Sequence, residues 1–295
     1  MSHTMGSRIL LATDFSESSA CARVYAEYFA ARLTLPVDLL HVIEGPRERD
    51  DHESDPERTD EVSRLLEEQR KLLAGGIAVT MSQVRGRPSD QIVSTAQRLG
   101  ADLVVMGMQG HTHTPFGLIG STVERVIGAA ACPVLSVPLP QKEASPCSLS
   151  ESAAVLIRRI LVPIDQSTSS LNALEYAMWL ADRLKAGLVL MHVLQPCQNP
   201  QDTIHVANEE TNRTVWLSRL TELATRARSY GLAAEQEIRD GITQDSILAG
   251  ALQHHCDLIV MGTHAARHTS PPLGSVAKAV LRQATSPVLT VKDSR

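Results

Sequence analysis

"RILLATDFSESS", residues 8–19, returns as "RILVPIDQSTSS", residues 159–170, and this pair decides how the chain is built. Each copy opens with an apolar run of the kind a parallel sheet buries and reaches an aspartate, Asp14 or Asp165; Asp14 is placed either to bind at the strand's carboxyl end or to cap the first helix. The echo continues in order. "LLHVIE" is matched by "LMHVLQ", aligning His41 with His192, and "ADLVVMG" by "CDLIVMG", aligning Gly107 with Gly262. "CPVLSVP" is matched by "SPVLTVK", aligning Pro133 with Pro287. Order and spacing survive throughout, so one domain has been duplicated in tandem.

With 295 residues, the chain is long enough for two ordinary domains, each burying its own core. In the first copy the strand candidates are "RILLAT", "VDLLHVI", "IAVTMSQV", "DLVVMG" and "PVLSV", with longer amphipathic stretches between them. Ala20, Val24 and Tyr28 recur at helical spacing in one such stretch, as do Leu171, Leu174, Met178 and Ala181 in its echo. Strand-helix alternation predicts an α/β fold: two tandem domains, each a five-stranded parallel sheet flanked by helices. Domain 1 is expected over residues 7–138, a linker over 139–157 where "PLPQKEASPCSLSES" is rich in Pro and Ser, and domain 2 over 158–292. The acid-rich run over residues 44–61 reads as a solvated loop.

Composition narrows the partners. A net charge of −5 and an aromatic content of 3% provide neither a basic field nor a stacking surface for nucleic acid. No apolar stretch is long enough to span a bilayer, and "MSHTMGSR" has no secretory pattern, so no membrane partner and a cytoplasmic location are expected. Five scattered cysteines without a C-x-x-C pair suggest neither a disulfide framework nor a zinc site.

The chemistry is expected after the fourth strand of copy one. In an open parallel sheet, ligands settle outside the carboxyl ends of the strands. "MGMQGHTHTPFGLIGS", residues 106–121, leaves that edge and ends at a helix start. Gly107 and Gly110 lack Cβ atoms and can admit backbone close to a ligand, while Gly120 and Ser121 are expected to offer free N–H groups to an anion. The pattern is neither a P-loop nor a dinucleotide fingerprint. A phosphate site is the reading.

The spacing of Gly107, Gly110 and Gly120-Ser121 resembles the G-x2-G-x9-G-[ST] signature of ATP-binding universal stress proteins, and the strand motifs of both halves agree with it. The resemblance implies a Rossmann-like domain of the adenine nucleotide α-hydrolase-like group and a stress-response sensor or adaptor that binds ATP with Mg²⁺. It places Asp14 by the adenine and ribose, Val42 with its backbone at the adenine, Gly107 and Gly110 beside ribose and phosphates, and Gly120, Ser121 and Thr122 at the phosphates. It also implies pairing through the fifth strands, here as a pseudo-dimer within one chain, with a homodimer and protein partners as further expectations. Catalysis is not indicated by any nucleophile elbow, and the rivals are a slow ATPase or phosphoryl- or adenylyl-transfer enzyme and a nucleotide-independent structural adaptor.

Copy two departs in "MGTHAARHTSPPLGS", residues 261–275. Ala265 stands where glycine stood, the loop is one residue shorter, and Pro271-Pro272 removes two N–H donors. Asp165, Val193, Gly262, Gly274 and Ser275 persist, so a weaker second site is expected, with ATP mainly in domain 1. His111, His113, His264 and His268 read as exposed loop histidines rather than metal ligands, and His41 and His192 as polar caps on their strands. Ser89 and Thr243 are expected to cap the helices that follow the third strands.

Overall fold

The computed structural model describes residues 8–45, 56–73, 76–110, 119–139, 155–195, 203–263 and 273–293. The chain divides into two compact units, Met1–Val155 and Leu156–Arg295. Unit 1 runs β1 (Ile9–Thr13), α1 (Glu17–Leu33), β2 (Val37–Ile43), α2 (Pro56–Leu72), β3 (Val79–Arg85), α3 (Pro88–Leu99), β4 (Leu103–Gly107), α4 (Ser121–Ala129) and β5 (Val134–Val137). Unit 2 repeats the series as β6 (Arg159–Pro163), α5 (Thr168–Leu184), β7 (Gly187–Leu194), α6 (Thr203–Ser229), β8 (Ala234–Asp240), α7 (Thr243–Gln253), β9 (Leu258–Gly262), α8 (Ser275–Gln283) and β10 (Val288–Val291).

All strand pairs within a unit are parallel. In unit 1, β1 lies between β2 and β4, with β3 beyond β2 and β5 beyond β4. The chain therefore leaves β1 on one side and returns on the other. The carboxyl ends of β1 and β4 meet at the switch point where such sheets bind ligands. Unit 2 has the same order around β6.

Burial explains the composition of each strand. Every residue of β1, β4's first four and all of β5 are buried, so these segments read as unbroken apolar runs covered on both faces. β3 and β8 are largely exposed or half-buried and accordingly carry polar residues such as Gln83 and Glu237.

The helical stripe in copy one differs from expectation. Ala20, Val24 and Tyr28 are only half-buried, and α1 instead packs Cys21, Ala22, Ala26, Phe29 and Ala30 inward. Small residues let α1 sit close on β4, so its core face is one position away from the bulkier stripe. In α5, Leu174, Met178 and Ala181 are buried as expected, while Leu171 is exposed.

Cys132 and Cys256 are free, but Cys21 is disulfide-bonded, which corrects the expectation of unpaired thiols. Sequence spacing carries no information about which cysteines approach through space, and that approach is what pairing requires. Residues 1–7, 46–55 and most of the linker lie outside the described residues, as do Cys147 and Cys197.

Candidate functional site

At the end of β1 the chain makes a tight Asx turn. Ser16 donates its backbone N–H to Asp14 Oδ1 at 3.0 Å and its hydroxyl to the same oxygen at 2.6 Å. Phe15 between them sits at φ 64°, a left-handed conformation in which a side chain is rarely found. Ser16, not Asp14, is the N-cap of α1, its hydroxyl accepting from the Ser19 N–H at 3.2 Å. The turn holds Asp14 at the sheet edge, and a Cβ on Gly110 would stand 3.0 Å from Asp14 Oδ2. Asp14 and the loop after β4 thus touch across the switch point.

His41, near the end of β2, donates Nδ1–H to the Thr13 carbonyl at 2.9 Å and lies against the Phe15 ring at a centroid separation of 4.6 Å. This fulfils the polar-cap reading.

Two glycines do something other than what their sequence context suggested. A Cβ on Gly107 would lie 2.5 Å from Ser18 Oγ and 2.6 Å from the Ser18 carbonyl carbon, so the missing atom makes room for α1. Gly120 does not offer a free N–H, because it donates to the Met108 carbonyl at 3.0 Å, closing the loop on its own stem. Gly120 is nevertheless the N-cap of α4 with no side-chain cap. The first-turn N–H groups of Ser121, Thr122 and Val123 have no carbonyl within the helix to bond, and the helix dipole adds partial positive charge there.

These parts surround one cavity of about 540 Å³. Asp14, Val42, Gly107, Gly110, Gly120, Ser121 and Thr122, the seven residues singled out in copy one, all line it. Leu40, Val62 and Ile92 add an apolar wall that the sequence reading missed. Val62 stands one turn before buried Leu66 in α2, a spacing that the helical period of that segment carries. Among the described residues, no Lys or Arg lines it. An anion held here would be recognised by backbone N–H groups and the α4 dipole.

Ser89 and Thr243 are not caps. The N-caps of α3 and α7 are Arg87 and Ile242, neither with a side-chain cap. Gly86 and Gly241, at φ 138° and 137°, turn the chain early, so α3 starts two residues and α7 one residue sooner than expected. Thr243 Oγ1 accepts from Gln195 Nε2 at 2.9 Å instead.

Unit 2 rebuilds much of this geometry. Asp165 Oδ1 accepts from the Ser167 N–H at 2.9 Å and its hydroxyl at 2.6 Å, with Gln166 at φ 61°. A Cβ on Gly262 would meet Ser169 Oγ at 2.5 Å, and Gly274 donates to the Thr263 carbonyl at 2.8 Å before Ser275 opens α8. Val193 is half-buried near the end of β7. His192 donates Nδ1–H to the Ile164 carbonyl at 2.7 Å. Burial holds the His192 imidazole below its ordinary value of 6.5, with nearby Arg219 acting in the same direction. His111, His113, Ala265, Pro271, Pro272, His264 and His268 lie outside the described residues.

A model of the universal stress protein family matches residues 5–138 and again 156–292. Universal stress protein MJ0577 of Methanocaldococcus jannaschii is 31% identical over 154 residues, covering 45% of this chain and 95% of that protein. Universal stress protein MJ0531 of the same organism is 44% identical over 68 residues, or 23% of this chain and 40% of that protein. A solved universal stress protein from Archaeoglobus fulgidus DSM 4304 matches 97% of this chain and 96% of its own at 22% identity, with a TM-score of 0.71, a likeness of fold.

Proposed function

The chain belongs to the universal stress protein family, and from that premise we propose that it binds ATP in the unit 1 cavity and acts as a nucleotide-dependent stress-response sensor or adaptor in the cytoplasm. The observation that carries this reading is the cavity's polarity. Its lining combines the first-turn residues Ser121 and Thr122 of α4, the Asp14 carboxylate, and a wall of apolar Leu40, Val62 and Ile92. An anionic group fits the first, sugar hydroxyls the second, and a planar base the apolar wall.

No cluster of three His, Cys, Asp or Glu side chains able to hold a metal occurs among the described residues. Mg²⁺ would therefore arrive on the nucleotide phosphates, supplying charge neutralisation there, with Asp14 and Glu44 as carboxylates that line the cavity. Binding comes first in this reading, because among the described residues no cation lines the cavity to stabilise phosphoryl transfer.

The test is equilibrium dialysis of the purified chain against labelled ATP with Mg²⁺, beside a phosphate-release assay on the same sample. Saturable uptake at one nucleotide per chain, lost in Asp14→Ala and without multiple turnovers, is the expected result. Absence of uptake would refute the reading, and sustained turnover would replace the sensor with an ATPase.

A further inference from the structure

His41 and His192 hold equivalent places, each bonded through Nδ1 to the carbonyl at the end of the neighbouring strand. Their surroundings differ: Phe15, whose ring lies 4.6 Å from that of His41, is replaced by Gln166 in unit 2, and the helix before the third strand presents a different side chain to each histidine. In unit 1, His41 lines the open cavity together with Val62 of α2. In unit 2, the imidazole of His192 is covered by the indole of Trp216, with ring centroids 3.4 Å apart and planes 13° from parallel.

Trp216 is the counterpart of Val62. Leu66 in α2 and Leu220 in α6 are both buried on the helix face turned to the sheet, and one turn before them stand Val62 and Trp216. A side chain of three carbons in one unit is thus a bicyclic ring in the other, at the place where unit 1 is hollow. Two further contacts hold the ring there. The Arg219 guanidinium lies over the indole at 5.3 Å on the side of its own helix. Arg213, one turn earlier, is ion-paired with Asp240 at the end of β8, which fastens this part of α6 to the carboxyl edge of the sheet.

We propose that Trp216 occupies, in unit 2, the space that a ligand's planar ring would take in unit 1, and so determines which unit accepts a ligand. The indole makes with His192 the stacking contact that a bound base would make, so unit 2 keeps its fold without a ligand and excludes one. The altered loop after β9 is not needed for this. Exclusion rests on a side chain from α6, and it would hold even if that loop were restored to the pattern of unit 1.

Calorimetric titration of the full chain with adenosine, which lacks phosphates and so takes the helix starts of α4 and α8 out of the comparison, separates the outcomes. Trp216→Val should take up one more adenosine per chain than the unmodified protein. If the unmodified protein takes up none and Trp216→Val takes up one, the proposal stands while a base-accepting wall in unit 1 is refuted, and the ATP titration decides the phosphate site. If both take up the same number, or the unmodified protein already takes up two, the proposal is overturned. Should Trp216→Val fail to fold, the unmodified chain still decides. The ring-proton resonances of His192, identified by their loss in His192→Gln, should be shifted upfield by the stacked indole, and ordinary positions for them would overturn the proposal.

Discussion

Gly107 and Ser18 are in contact that leaves no room for a side chain: a Cβ on Gly107 would lie 2.5 Å from the Ser18 hydroxyl and 2.6 Å from its carbonyl carbon. Gly262 stands in the same relation to Ser169, with a Cβ falling 2.5 Å from that hydroxyl. Because backbone atoms are among those met, the neighbour cannot simply rotate away. Gly107→Ala and Gly262→Ala should each destabilise their unit by about 1–3 kcal/mol, the usual range for overpacking. Denaturant melts of the two variants test this, and an unchanged midpoint in either would show that α1 or α5 yields freely.

The buried imidazole of His192 gives unit 2 a pH dependence of definite sign. Its folded value lies below the ordinary 6.5, so on acidification the unfolded chain takes up the proton first. The stabilisation is present above the ordinary value and is lost as pH falls through it. Thermal melts should show a falling midpoint from pH 7.5 to 5.5, with a shallower slope in His192→Gln. Equal slopes in the two proteins would place the titration elsewhere.

Two cysteines should resist modification. Burial raises the Cys132 thiol to about 11 and the Cys256 thiol to about 12, leaving little thiolate at neutral pH. Iodoacetamide at pH 7.5 should leave both unmodified in the native protein and alkylate both after denaturation. Mass spectrometry of the digested protein reads the result directly.

Proteolysis should find the boundary between the units. The Pro- and Ser-rich segment from Pro138 to Ser152 joins two units that each carry a complete sheet of five strands. Limited digestion there should yield two fragments that each retain a cooperative melt. Rapid loss of either fragment would mean that its core depends on the other.

The sheet was legible because its strands are covered on both faces, so β1, β4 and β5 appear as unbroken apolar runs in the sequence. The start of α4 was legible too, since Gly120 and Ser121 precede the periodic Val123, Val126 and Ile127, all buried. The role of Gly107 was not, because room for a helix and room for a ligand both call for a missing Cβ. Nor was the task of the Gly120 N–H, which depends on where the loop returns in space. Trp216 carried only a weak signal: its place four residues before Leu220 fits the sheet-facing side of α6, but it lies among exposed, mostly polar residues, and its contact with His192 is a matter of the fold in space. The cysteine at position 21 belongs to the same class, a pairing set by approach through space and not by spacing.

ATP binding in unit 1 turns on whether the N–H groups at the start of α4 hold its phosphates. Ser121 is the first helical residue after the N-cap Gly120, which has the extended conformation, φ −60° and ψ 138°, that a following proline prefers. Ser121→Pro should therefore keep the helix while removing one N–H and one hydroxyl from the site. Isothermal calorimetry of ATP with Mg²⁺ should show one site per chain in the unmodified protein, and affinity at least about tenfold weaker in Ser121→Pro, in line with loss of a charge-assisted hydrogen bond. Equal affinity in the two proteins, or no binding in the unmodified chain, would contradict the claim.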